Sequence, residues 1–169
     1  MELMCLERIA TDCNRAERDR VLFEDVRVID NLLSMEPAYV PRCDYFSQVQ
    51  TDILPYMRKI VTTWMLEVCE EQRCEDQVFP LSVNFLDRFL CECRIVRSQL
   101  QLVAAVCLLL ASKTRQCHPL SVDLLCHYTD YSVTTDEIRV SSDDFSLLFS
   151  SVWFRGFSSS PPVAELRLS

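Results

Sequence analysis

The chain has 169 residues, 49% hydrophobic and 25% charged, which is enough for one domain with a core of its own. Its formal charge of -8 speaks against a protein whose main work is neutralising phosphates, because such proteins carry a basic surface, and so excludes nucleic acid as the leading partner. The longest apolar run, Leu102 to Ala111, falls well short of the roughly 20 residues a bilayer span needs, so it reads as a buried helix and not as a membrane segment.

At the N-terminus, "MELMCLE" alternates so that Leu3, Cys5 and Glu7 share one face of an extended segment, a face that another protein can read. Glu2, Glu7 and Arg8 stand where a secretory leader needs apolar residues, so the ten cysteines are expected in a reducing compartment. Residues 1–20 mix charges with few apolar positions and read as a flexible arm. The amphipathic segment "VRVIDNLLSMEPAYVP" follows, brought to a stop by Pro37 and Pro41.

In "PYMRKIVTTWMLEVCEEQ", Pro55 suits a first helical position, and Met57, Val61, Trp64, Met65 and Val68 recur at helical spacing. The next helix, "FPLSVNFLDRFL", again has a proline, Pro80, near its first turn. Phe79, Val83, Leu86, Phe89 and Leu90 form its apolar stripe, with Asp87 and Arg88 expected to face away. "SQLQLVAAVCLLLASK" has Ser98 as candidate N-cap and is apolar almost all round, the pattern of a helix enclosed by others. A shorter helix follows Pro119 in "PLSVDLLCHYTD", and another starts at "TTDEIR", where Thr134 and Glu137 have capping-box spacing. Cys69, Cys107 and Cys126 sit inside these apolar patterns, where a thiol behaves as a small hydrophobe.

From Val140 the composition turns serine-rich and ends in a Pro-Pro pair and a weakly patterned tail. Phe145, Leu148, Phe149, Val152 and Trp153 keep helical spacing, but Ser141 and Ser142 interrupt the apolar stripe just after Ile138. No stretch alternates long enough for a core strand, and the single glycine, Gly156, leaves few tight hairpin turns. The expected fold is an all-α bundle of helices around the central "LQLVAAVCLLLASK".

Chemistry is sparse. The two histidines, His118 and His127, have no acid or nucleophile at catalytic spacing, and there is no glycine-rich phosphate loop. Cys91, Cys93, Cys117 and His118 lack the usual zinc-ligand spacings, so neither metal nor cofactor is expected. An enzyme is not the expected reading.

Across "MRKIVTTWMLEVCEEQRCEDQVFPLSVNFLDRFL", "LQLVAAVCLLLASK" and "LLCHYTDYSVTTDEIR", the chain resembles the N-terminal cyclin box of the D-type cyclins, from about Arg20 to Arg139. The resemblance implies a single box over residues 21–139, five helices around a central third one, with the fifth incomplete or altered. It implies a regulatory subunit that binds and activates a G1-class cyclin-dependent kinase at the G1/S transition, in nucleus and cytoplasm, by holding the kinase's mobile helix in its active position. The kinase would supply the chemistry. Met57, Ile60, Val61 and Trp64, with Glu67, Leu100 and Gln101 beside them, match the family's docking patch for substrates and for kinase inhibitors, an apolar groove with an acidic rim. Taken without the resemblance, most of that stripe reads as core. Leu110 and Lys113 match the kinase contact, and Leu3, Cys5 and Glu7 spell the L-x-C-x-E motif for retinoblastoma-family pocket proteins.

The departure from the family is equally specific. A glutamate on the fifth helix that works with the lysine falls at Ser142 here. The Val-Ser after Arg139 is the in-frame translation of a splice-donor sequence, GTGAGT. Residues 140–169 are therefore expected to be a divergent, intron-derived tail that packs poorly, and a chain that binds without activating is the alternative reading.

Overall fold

The computed structural model describes residues 19–142. They fall into two units, the residues through Pro37 and those from Ala38 on. In the first, α1 (Arg20–Glu24) starts at Asp19, whose carboxylate accepts from the amides of Val21 and Leu22 at 2.9 and 3.4 Å. Asp25 caps α2 (Val26–Met35) in the same way through the Arg27 amide, and the Arg27 guanidinium beside it holds its carboxyl below the usual range. Val26, Ile29, Leu32 and Leu33 recur on one side of α2, and the chain tightens into a one-turn 3-10 helix, Glu36–Ala38, at Pro37.

The second unit is a bundle. After the single turn α3 (Tyr45–Gln48) come α4 (Pro55–Glu71), α5 (Val78–Glu92), α6 (Leu100–Arg115) and α7 (Val122–Tyr128), and residues 135–142 begin α8. No strand occurs among the described residues, and none of their helices is long and apolar enough to cross a membrane. Every residue of α6 from Leu102 to Leu109 is buried, and α4, α5 and α7 pack around it. The all-round apolar pattern thus became the central helix, as expected, because each face has a neighbour to exclude water.

Pro55 stands at the first position of α4, where its missing N–H costs nothing, and Met57, Val61, Met65, Val68 and Cys69 turn to the core. Burial pushes the Cys69 thiol up to about 12 and that of Cys93 to about 11. Cys107, within α6, rises well above its ordinary value for the same reason. Such thiols stay protonated and unreactive, which fits their packing role. Among the described residues no three His, Cys, Asp or Glu side chains cluster as metal ligands.

Two expectations need correction. Ser98 is not the N-cap of α6: a 3-10 turn, Arg97–Gln99, precedes the helix, and Gln99 takes the cap position without a side-chain cap bond. The Gln99 carboxamide instead reaches back to the Val96 amide at 3.1 Å and closes the turn. Asp87 and Arg88 do not face away either. Asp87 turns in to meet Arg58 and Tyr45, and Arg88, only 8% exposed, lays its guanidinium 5.7 Å from the ring centre of Tyr39. α8 continues through Ser141 and Ser142, the two serines that interrupt its apolar stripe. The Ser142 hydroxyl donates to the Arg139 carbonyl at 2.8 Å, the back-bonding by which a helix accommodates serine. The expectations for Phe145 through Trp153 and for Leu3, Cys5 and Glu7 lie outside the described residues.

The capping box of α8 is present in full. Thr134 Oγ1 accepts from the Glu137 amide at 3.3 Å, and Glu137 Oε2 accepts from the Thr134 amide and hydroxyl, each at 2.7 Å. The Thr134 amide, then its hydroxyl, lowers the Glu137 carboxyl. A depressed folded-state value stabilises above the unfolded pKa and ceases to as pH falls through the folded one. Thr134→Ala is therefore expected to cost about 1 kcal/mol at pH 7 in urea unfolding. The gap between wild type and Glu137→Gln should close as pH falls below the ordinary value of 4.5.

Candidate functional site

Residues from two helices and the 3-10 turn that leads into the second of them build an open groove of about 340 Å³. Met57, Ile60, Val61 and Trp64 come from α4 at i, i+3, i+4 and i+7, one helical face. Leu100 and Gln101 come from the first turn of α6, and Arg97 from the 3-10 turn before it. The apolar stripe of α4 is thereby split between two roles. Met57 and Val61, at 9% and 7% exposure, form a floor continuous with the core, while Ile60 is 65% exposed on the rim. Trp64 is half-buried and packs against the core while facing the groove.

Six of the seven sequence-predicted docking residues thus line one concavity. Glu67 does not: it stands exposed one turn beyond Trp64, and the charged side chain lining the groove is Arg97. Arg97 was missed because only the tertiary fold fixes the loop that bears it. Its amide donates to Asp52 Oδ2 at 2.8 Å and its Nη2 lies 3.2 Å from Asp52 Oδ1, which holds the Asp52 carboxyl below its usual range. The one available signal was its position three residues before Leu100, the helical spacing that puts it on the same face.

The polar edge of the groove is braced from behind. The Trp64 indole Nε1 donates to the Tyr128 carbonyl at 3.2 Å, and Gln72 Nε2 meets the Tyr128 hydroxyl at 2.6 Å. Ser132 Oγ donates to Gln101 Oε1 at 3.3 Å. On the side of α4 toward α5, Arg58 makes a two-pronged contact with Asp87, at 2.7 and 2.6 Å, and Tyr45 donates to the same carboxylate at 2.8 Å. Asp87 raises the Arg58 guanidinium above its ordinary value.

Leu110 and Lys113 lie toward the other end of α6, about 15 and about 20 Å from Leu100 at 1.5 Å per residue. Leu110 is half-buried against the core. Lys113 is exposed in the last turn, where a cation suits the helix dipole, and no carboxylate among the described residues pairs with it. Ser142, 7% exposed, holds the place where the resemblance calls for a glutamate.

Comparison with known proteins accounts for this arrangement. Residues 27–143 match the cyclin N-terminal domain, four residues beyond Arg139. The chain is 54% identical over 138 residues to G1/S-specific cyclin-D2 of Rattus norvegicus, and 51% identical over 139 residues to G1/S-specific cyclin-D3 of Homo sapiens. Each alignment covers 82% of this chain and 47% of the relative, so the chain spans about half the length of the curated relatives it matches. The X-ray structure of a viral cyclin from herpesvirus saimiri superposes with a TM-score of 0.65 at 31% identity, over 74% of this chain and 54% of that one. With the helices enclosing α6 and the groove between α4 and α6 in place, the chain belongs to the cyclin family, carries its N-terminal domain, and is similar within that family to the D-type members.

Proposed function

We propose that this chain is a non-catalytic regulatory subunit that binds a G1-class cyclin-dependent kinase and brings substrates to it at the G1/S transition. The observation that carries the reading is the division of α6. Its middle is enclosed, its first turn closes the docking groove, and its last turn offers half-buried Leu110 and exposed Lys113 to a partner. An apolar contact flanked by a cation suits the kinase's mobile helix. The groove suits an extended segment that places a basic residue ahead of a leucine, as in substrates and inhibitors. Leu3, Cys5 and Glu7 would recruit a retinoblastoma-family pocket protein, and nucleus and cytoplasm are the compartments this role requires.

One observation favours a second reading. Ser142 leaves Lys113 without the acidic partner that the family uses, which weakens a shared polar contact with the kinase. In that reading the chain docks segments and competes for them without switching the kinase on. Co-purification of the chain with a G1-class kinase, followed by phosphate transfer to a pocket-protein fragment, separates the two. Binding with activation supports the first reading, and binding without it the second. Lys113→Ala is expected to weaken kinase binding at least about tenfold, and undiminished binding would remove Lys113 from the interface.

A further inference from the structure

Building on the docking reading, we propose that the turn after α7, residues 128–132, is the positioning element of the groove: it fixes the Trp64 ring and orients the Gln101 carboxamide toward a bound segment. Four carbonyls at the end of a helix lack intrahelical partners. Here the turn's own backbone satisfies three of them: Leu125 accepts from Thr129 at 3.1 Å, Cys126 from Tyr131 at 2.9 Å and His127 from Asp130 at 3.0 Å. The fourth, on Tyr128, accepts from the Trp64 indole. An indole N–H is a donor only, so this bond completes α7 and sets the plane of the ring at once.

The turn is held in a costly shape. Asp130 and Tyr131 have φ of 50° and 56°, the left-handed region, which a bulky side chain such as that of Tyr131 adopts only when its surroundings hold it there. That shape carries Ser132 back over the first turn of α6, with the Ser132 amide bonded to the Thr129 carbonyl at 3.0 Å and its hydroxyl to Gln101 Oε1. With its oxygen engaged, Gln101 keeps its amide nitrogen for the groove. A donor there matches a backbone carbonyl of an extended peptide, beside an apolar side chain set against Trp64. Ser132 is thus a positioning residue acting through Gln101, itself touching no ligand.

The test uses the full chain and a fluorescein-labelled peptide with a basic residue followed by a leucine, titrated by anisotropy. Ser132→Ala is expected to weaken binding about fivefold and Ser132→Thr, which keeps the hydroxyl, to restore it. Ser132→Ala placed on Gln101→Ala should add nothing, because the two act as one unit. Wild-type affinity in Ser132→Ala, or a further loss on the Gln101→Ala background, would overturn the proposal. A second readout needs no peptide: the Gln101 side-chain amide resonances of the ¹⁵N-labelled chain should move in Ser132→Ala with the far-ultraviolet circular dichroism unchanged. If wild type binds no peptide, the docking reading fails. If the Gln101 resonances stay in place, the positioning role fails.

Discussion

Asp87→Ala is expected to lower the unfolding free energy by about 3 kcal/mol, the cost of removing one partner from a half-buried hydrogen-bonded ion pair. The alanine leaves the Arg58 guanidinium and the Tyr45 hydroxyl facing each other without the carboxylate that both address. Tyr45 is 6% exposed, so water does not replace the lost acceptor cheaply. Asp87→Asn, which keeps one carbonyl oxygen, should fall between the two. At about 4 °C per kcal/mol for a domain of this size, the alanine variant should melt near 10 °C lower. The pair also fastens α4 to α5, so docking affinity should fall with the structure. A melting point within a degree or two of wild type would show the pair to be a surface contact of no consequence.

Gln50→Leu is expected to cost a comparable amount, about 2 to 4 kcal/mol, for a different reason. Gln50 is buried in the loop after α3, and its Nε2 donates to the carbonyls of Leu90 and Cys93, each at 2.7 Å, while its Oε1 accepts from the Ile95 amide at 3.2 Å. One side chain therefore caps the end of α5 and steers the chain toward the turn that bears Arg97. Leucine fills the volume but leaves two carbonyls and one amide buried without partners, each costing on the order of 1 kcal/mol or more. Gln50→Glu should do no better, because it sets a carboxylate against those two carbonyls. Urea unfolding of the two variants beside wild type measures this directly, and a Gln50→Leu protein as stable as wild type would mean that the carbonyls find water.

Both residues show where legibility in the sequence stops. Nothing near Gln50 or Asp87 in the chain announces a partner, since the groups they bond lie 29 to 45 positions away, as for Arg58 and Ile95. Asp87 looked like an outward charge for that reason. The capping box at Thr134 and Glu137 was legible because its partners are three residues apart, and Pro55 because it acts on its own φ.

The same division runs through the site. Periodicity alone put Met57, Val61 and Trp64 on one face of α4 but left core and groove as alternatives. Which residues are floor and which are rim follows from where Leu100 and Gln101 arrive, a matter of how α6 crosses α4. The resemblance named six lining residues, Glu67 beside them and Lys113, yet Arg97 entered the lining only when the loop held by Asp52 was in place. Local patterns of apolar spacing, prolines and caps determined the helices and the burial of α6, because those are interactions between near neighbours in the chain. The ion pair under α4, the cap on α5, the bracing of Trp64 and Gln101 and the sign of the charge lining the groove were decided by the tertiary structure. They depend on bonds between distant segments, whose directions exist only once the helices have packed.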